Sequence, residues 1–320
     1  MRSAPPRKHK RVGSHRFAPC VHARGRDGLN VSGLVFIAAL TGVIIFGGSA
    51  IATKVAVSAI SALDVSIMRT IIGGLVALPL TLAMRIPLPA TRQQKILLLV
   101  SGFCGFIAFP LLFTLGVSLT SANHATMILA ILPVMTGAIV HYWDRHRPRA
   151  LWWLGCAIAF GGEVLLLYDP AAAVGEASIE GDLLVWSSTV FASLGYVAGA
   201  RLQRSGYSAR GTTFWGVGLF ALLLLPALLL IVDLDTLGSA GAYAWSGLLY
   251  QAIGVTVVAY ILWYWALGTG GIARVGLFQF LQPISGVVLA WLILAESLSL
   301  IFVLASSIIM VGVILAFRAR

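Results

Sequence analysis

The chain has 320 residues, of which 59% are hydrophobic and only 10% charged, with a mean hydropathy of +0.95. A water-soluble domain carries about 25% charged residues, so this composition excludes a globule covered by water and points to lipid as the natural solvent. The net charge of +11 acquires meaning only from the side of the membrane it occupies, and nucleic acid is not an expected partner.

Residues 1–29, beginning "MRSAPPRKHKRVGSHRF", are basic and lack an apolar pattern. They read as a disordered cytoplasmic tail, without the apolar core and small-residue cleavage site of a secretory signal, and their Lys and Arg side chains suit anionic headgroups. Ten apolar runs follow, each long enough for a spanning helix of about 20 residues. They are 33–53, 65–84, 96–115, 122–142, 151–168, 183–202, 212–232, 244–267, 275–295 and 300–317. Continuous runs at this spacing are helices, because a membrane barrel would alternate over about ten residues. The links carry turn residues, as in "RIPLPATRQQ" and "DPAAAVGEASIEGD". Cys20, Cys104 and Cys156 have neither CxxC nor metal-ligand spacing, so no disulfide or metal is expected.

With the amino terminus inside, twenty of the 22 Lys and Arg residues fall in cytoplasmic segments. The acids Asp64, Asp169, Glu176, Glu180, Asp182, Asp233, Asp235 and Glu296 fall on the other side. This satisfies the positive-inside rule at every loop and puts both termini in the cytoplasm of a multi-pass cell-membrane protein. The two exceptions are Lys54 and Arg69.

The chain also repeats. At an offset of 150, "ANHATMILAILPVMTGAIV" lies over "IARVGLFQFLQPISGVVLA"; Pro133 meets Pro283, Gly162 meets Gly312 and Phe113 meets Trp263. The expected fold is therefore an all-α integral membrane protein with ten transmembrane helices as two inverted five-helix repeats. Its first repeat covers 30–168, an extracytoplasmic linker 169–181, and its second repeat 182–317. Five crossings per half force the halves to run in opposite senses, which is a transporter architecture.

"FGGSAIATK" followed by "SALDVSIMR", with the proline-centred "LPVMTGAIV" and "QPISGVVLAWLILAESLS", resembles an EamA-type member of the drug/metabolite transporter superfamily over about residues 33–317. The first repeat departs from that pattern, carrying "DRHRP" where the family has Gly-Glu, so only Glu296 keeps the acidic position. The resemblance implies a ten-helix exporter or exchanger of small metabolites with no ATPase domain.

Charges within hydrocarbon cost about 3 kcal/mol each on insertion scales, so they face a cavity, a partner or the interface. Lys54 ends the first span, and Arg69 lies about 6 Å below the outer surface. They read either as headgroup contacts or partners of Asp64, or as an electropositive mouth for anionic or zwitterionic substrates. Glu163, about 7–8 Å below the outer boundary, reads as a proton-coupling carboxylate or as an ion-pair partner of Arg69 or Lys54. His124 could titrate near neutral pH. Gln282, beside Pro283, and Gln251 are neutral substrate contacts or interhelical hydrogen bonds, and Asn123 and Tyr196 are weaker candidates. Trp143, Trp152, Trp153, Trp215, Trp263 and Trp265 cluster toward the inner boundary, and most of them read as anchors there. Gly195 and Gly199 form a GxxxG that suits close packing or a homodimer contact.

The leading reading is a secondary active transporter exporting amino acids, organic ions or drugs by alternating access. The absence of a GxxxxGK[ST] loop leaves a proton gradient or a counter-substrate as the energy source. An intramembrane enzyme and a non-transporting scaffold are the alternatives. HExxH, GxSxG and GxGD are all missing, so no catalytic residue and no cofactor is expected.

Overall fold

The computed structural model describes residues 27–120, 125, 128–129, 131–144, 149–167, 178–294 and 300–319. All regular elements among them are helical. In chain order they are α1 (Asp27–Gly47), α2 (Ser49–Val57), α3 (Ala62–Ala83), α4 (Arg92–Phe103), a π-helical segment (Cys104–Ala108) and α5 (Phe109–Leu119). Then follow α6 (Leu132–Asp144), α7 (Ala150–Leu167), α8 (Ile179–Arg204), α9 (Ala209–Leu230) and a short α10 (Leu234–Ser239). The rest are α11 (Ala242–Leu249), a second π segment (Tyr250–Ala259), α12 (Tyr260–Gly270), α13 (Ile272–Val275), a 3-10 turn (Gly276–Leu281), α14 (Gln282–Leu294) and α15 (Leu300–Arg318).

Among the described residues six helical stretches are long and apolar enough to cross a bilayer. Gly33–Val57, Ala62–Ala83 and Arg92–Leu119 hold 25, 22 and 28 residues; Ile179–Arg204, Ala209–Leu230 and Ala242–Gly270 hold 26, 22 and 29. The expected fourth, fifth, ninth and tenth spans correspond to the shorter α6, α7, α14 and α15, which border residues outside the description. Leu222, Leu229, Leu230 and Ile37 project outward, whereas Thr53, Thr70, Ser188, Thr189, Ser193 and Gln251 are buried. Leu and Ile outside with Thr, Ser and Gln inside is the arrangement lipid selects.

The sequence repeat reappears in the helix boundaries. α3 and α9 are displaced by 147 at both ends (Ala62 to Ala209, Ala83 to Leu230), and α6 and α14 by 150 (Leu132 to Gln282, Asp144 to Leu294). Ser61 and Ser208 cap the first pair, their hydroxyls accepting from the Asp64 and Gly211 amides, and Pro79 and Pro226 sit inside it. The packing follows the same rule. α3 lies on α9 and α7 on α15, each element on its own counterpart. Elsewhere contacts between halves come in exchanged pairs: α5 on α8 and α12 on α1, α6 on α8 and α14 on α1, α4 on α8 and α11 on α2.

Small residues permit these approaches. A Cβ at Gly162 would lie 2.9 Å from the Ala305 carbonyl oxygen, and one at Gly155 2.7 Å from that of Gly312, so α7 and α15 touch backbone to backbone. Gly195 faces Cys104 and Gly105, and Gly199 faces the Tyr264 ring. The GxxxG is thus used for packing within the chain. Beyond the spans, Asp233 caps α10, and hydrogen bonds from the Thr236 hydroxyl and amide hold its carboxyl below the usual carboxylate range.

The first span is interrupted at Gly47–Gly48, between α1 and α2, and the third and eighth expected spans each contain a π segment. The first π segment has a cause in the sequence. Pro110 has no N–H to give the Phe106 carbonyl four residues back, and the Thr70 hydroxyl takes its place at 2.7 Å. The neighbouring Gly105 carbonyl accepts from the Tyr260 hydroxyl at 3.2 Å. In the second π segment the Thr256 hydroxyl donates to the Gln251 carbonyl at 2.8 Å. π segments loosen the helical ladder and occur often at functional sites.

Candidate functional site

These irregular elements converge on Arg69. The face of α3 that carries Arg69 and Gly73 turns to the second π segment, where a Cβ on Gly73 would lie 3.1 Å from the Thr256 methyl and 3.2 Å from the Ala252 carbonyl oxygen. The Arg69 side chain has no exposed surface. Its Nε donates to Thr256 Oγ1 at 2.9 Å, and its Cζ lies 5.9 Å from the Phe109 ring centre. Tyr196 and Tyr260 are its other polar neighbours. Nη1 and Nη2 have no hydrogen-bond partner among the described residues.

Aromatic rings enclose this centre. Phe46 stands edge-on to Tyr260 at 5.6 Å and to Trp263 at 6.1 Å, and Tyr196 lies 6.0 Å from Tyr260 and 5.8 Å from Trp263. Trp263 is fully buried, and its Nε1 also lacks a partner. The reading of Trp263 as a boundary anchor is corrected here: it belongs to the interior, because the second half folds α12 against α1.

The break in the first span is sealed by side chains from the second half. Ile45, Phe46 and Ser49 carbonyls accept from the Tyr250 hydroxyl at 2.8 Å, Gln282 Nε2 at 3.5 Å and Gln251 Nε2 at 2.6 Å. Gln251 Nε2 also reaches the Ser49 and Thr53 hydroxyls, at 2.8 and 2.5 Å. Non-helical backbone at membrane depth needs such partners, since no water supplies them. Removing them through Gln251→Leu strands the buried Ser49 and Thr53 groups and is expected to cost about 2 kcal/mol, read as a lower melting temperature of the detergent-purified protein.

Arg69, Tyr196, Gln251 and Gln282 are therefore linked through shared neighbours: Gln282 to Phe46, Phe46 to Tyr196, Tyr196 to Arg69, and Arg69 through Thr256 to Gln251. Lys54 stands apart, partly exposed on α2. The expectation that Arg69 contacts headgroups or pairs with Asp64 is corrected: its guanidinium is sealed from the surface and no carboxylate meets it among the described residues. His124, Asn123 and the Glu163 side chain lie outside the described residues. Cys156 and Ala159 of α7 pack with Ala305, Ile309 and Val313 of α15 in a core separate from that around Arg69. Sequence reasoning missed Thr256, Tyr260, Phe46 and Phe109. Pro110, four residues after Phe106, was the available signal for a distorted helix facing a site.

A polytopic helical membrane protein with a polar centre between two similar halves has an arrangement found among membrane transporters. The EamA-like transporter family matches residues 33–168 and again residues 179–318, and the chain belongs to that family. Its curated relatives include the uncharacterized transporter YdeK of Bacillus subtilis (strain 168), 34% identical over 255 residues, covering 80% of this chain and 87% of YdeK. The uncharacterized transporter YetK of the same organism is 24% identical over 307 residues, 93% of this chain and 91% of YetK. A protein of known crystal structure shares the fold with a TM-score of 0.72 at 19% identity, over 89% of this chain and 99% of that one.

Proposed function

We propose that this protein is a secondary active transporter of the cell membrane that exports small metabolites by alternating access. Its ten helices form two inverted five-helix repeats, with both termini in the cytoplasm. The observation that carries this reading is the exchange of contacts between halves around a buried polar centre. If α5–α8 and α12–α1 are equivalent contacts, a state in which one tightens and the other opens has a mirror state of similar energy, and the centre faces each side in turn. The glycine break and the two π segments lie where such exchange would bend the helices.

Energy comes from a proton gradient or from exchange, with Glu163 the proposed coupling carboxylate. The test is flux of labelled amino acids and organic acids into proteoliposomes, with and without a proton gradient or a trans-loaded counter-substrate. Saturable flux that depends on one of these is expected, and Glu163→Gln should flatten its pH dependence. Flux no greater than in empty liposomes for every solute and gradient would overturn the transport reading. An unchanged pH profile would remove Glu163 from coupling.

A further inference from the structure

Resting on that reading, and naming its cargo, we propose that the centre binds an organic monocarboxylate with an apolar body and no amino group, its carboxylate held by Nη1 and Nη2 of Arg69. A guanidinium with no exposed surface, and no carboxylate partner among the described residues, is a poor choice for stability, since its desolvation is uncompensated. The missing partner is then a ligand. Nε is fixed on Thr256 Oγ1, and that hydroxyl is itself fixed on the Gln251 carbonyl. The guanidinium plane is thereby set, and its two free nitrogens form the fork that matches two carboxylate oxygens.

The remaining groups narrow the class. Trp263 Nε1, the other unpartnered polar atom in the aromatic cluster, is a donor as well. Tyr260 and Tyr264 spend their hydroxyls on the Gly105 carbonyl and on Ser101. The unpartnered N–H groups call for acceptors, and the Arg69 charge disfavours an ammonium beside it. One buried guanidinium, with Lys54 apart, balances one negative charge and not two. The rings of Phe46, Phe109, Tyr196, Tyr260 and Trp263 around the guanidinium suit a ring or chain in place of a sugar.

The experiment titrates the detergent-purified full chain with 3-phenylpropionate, phenylalanine and 3-phenylpropylamine, following tryptophan fluorescence and heat. The acid is expected to bind, the amine not to bind, and phenylalanine to bind at least tenfold more weakly than the acid. Arg69→Gln should weaken the acid about thirtyfold. Thr256→Val, which frees Nε and leaves the charge, should weaken it severalfold and serves as the decisive variant if Arg69→Gln does not elute as a folded monodisperse species. Amine binding as tight as that of the acid, or acid binding indifferent to both substitutions, overturns the proposal. Acid binding without flux in proteoliposomes would sink the transport reading and leave this site standing; flux of other solutes with no acid binding would do the reverse.

Discussion

Arg69→Met is expected to make the ligand-free protein more stable while abolishing transport of anionic solutes. Both halves of this result come from the same two atoms. Among the described residues Nη1 and Nη2 are buried without partners, so folding strips water from a charge and returns one hydrogen bond, from Nε to Thr256. Replacing a buried ion pair with apolar side chains of similar volume is often neutral or stabilising by about 1–4 kcal/mol, and a guanidinium with no carboxylate beside it has less attraction to lose. Met is flexible enough to fill the vacated channel beside Phe109, and Thr256 keeps its own bond to the Gln251 carbonyl. We expect a gain of about 2 kcal/mol, a few degrees in melting temperature. The native chain should recover the difference only when ligand is present: at a hundredfold excess over the dissociation constant, binding adds about 2.7 kcal/mol to the native protein and nothing to the variant. A melting temperature lowered by Arg69→Met would mean that the guanidinium is satisfied within the fold, and the case for an anionic ligand would fail with it.

The lipid-facing architecture was legible because composition and run length alone decide it. A helix in hydrocarbon needs only a long apolar stretch, and the repeat at 150 residues places Leu132 over Gln282 as readily in sequence as in structure. The depth and facing of Arg69 were not legible. Ser66, Thr70, Gly73, Ala77 and Thr81 mark the buried side of its helix at helical spacing, but spacing within one helix does not say what faces the guanidinium. What turns Arg69 in is Thr256, 187 residues away, through a contact no local pattern encodes. Trp263 was misread for the same reason. Its place near the end of an apolar run suggested an interface anchor, and only the packing of α12 on α1 buries it beside Phe46. Gln251 and Gln282 were visible as polar residues in apolar runs. Their task of closing a helix break could be assigned only once Gly47–Gly48 was seen to be that break.

That break supplies the second large effect. Gly47→Val is expected to disrupt the contact between α1 and α14 at a cost of about 3 kcal/mol, on the order of 10 °C in melting temperature. A Cβ at Gly47 would fall on Ser285 Oγ and lie 2.9 Å from both the Gln282 carbonyl oxygen and the Gly286 amide nitrogen. The serine hydroxyl can rotate away; the two backbone atoms cannot. Gly286 has no slack to offer, since a Cβ there would stand 3.1 Å from the Gly47 carbonyl oxygen. Adding Ser285→Ala should therefore fail to rescue Gly47→Val. Gly161→Val is the matched control, because a Cβ at that position meets nothing within 4 Å and valine is no worse than glycine in a helix. The three variants, melted side by side in one detergent, separate the explanations. Rescue by Ser285→Ala would mean that the serine alone fills the gap. Equal losses at Gly47 and Gly161 would mean that valine harms these helices generally. A loss confined to Gly47 and left uncorrected by Ser285→Ala would mean that backbone contact between the two halves, at the point where the first span breaks, sets how closely they can close around Arg69.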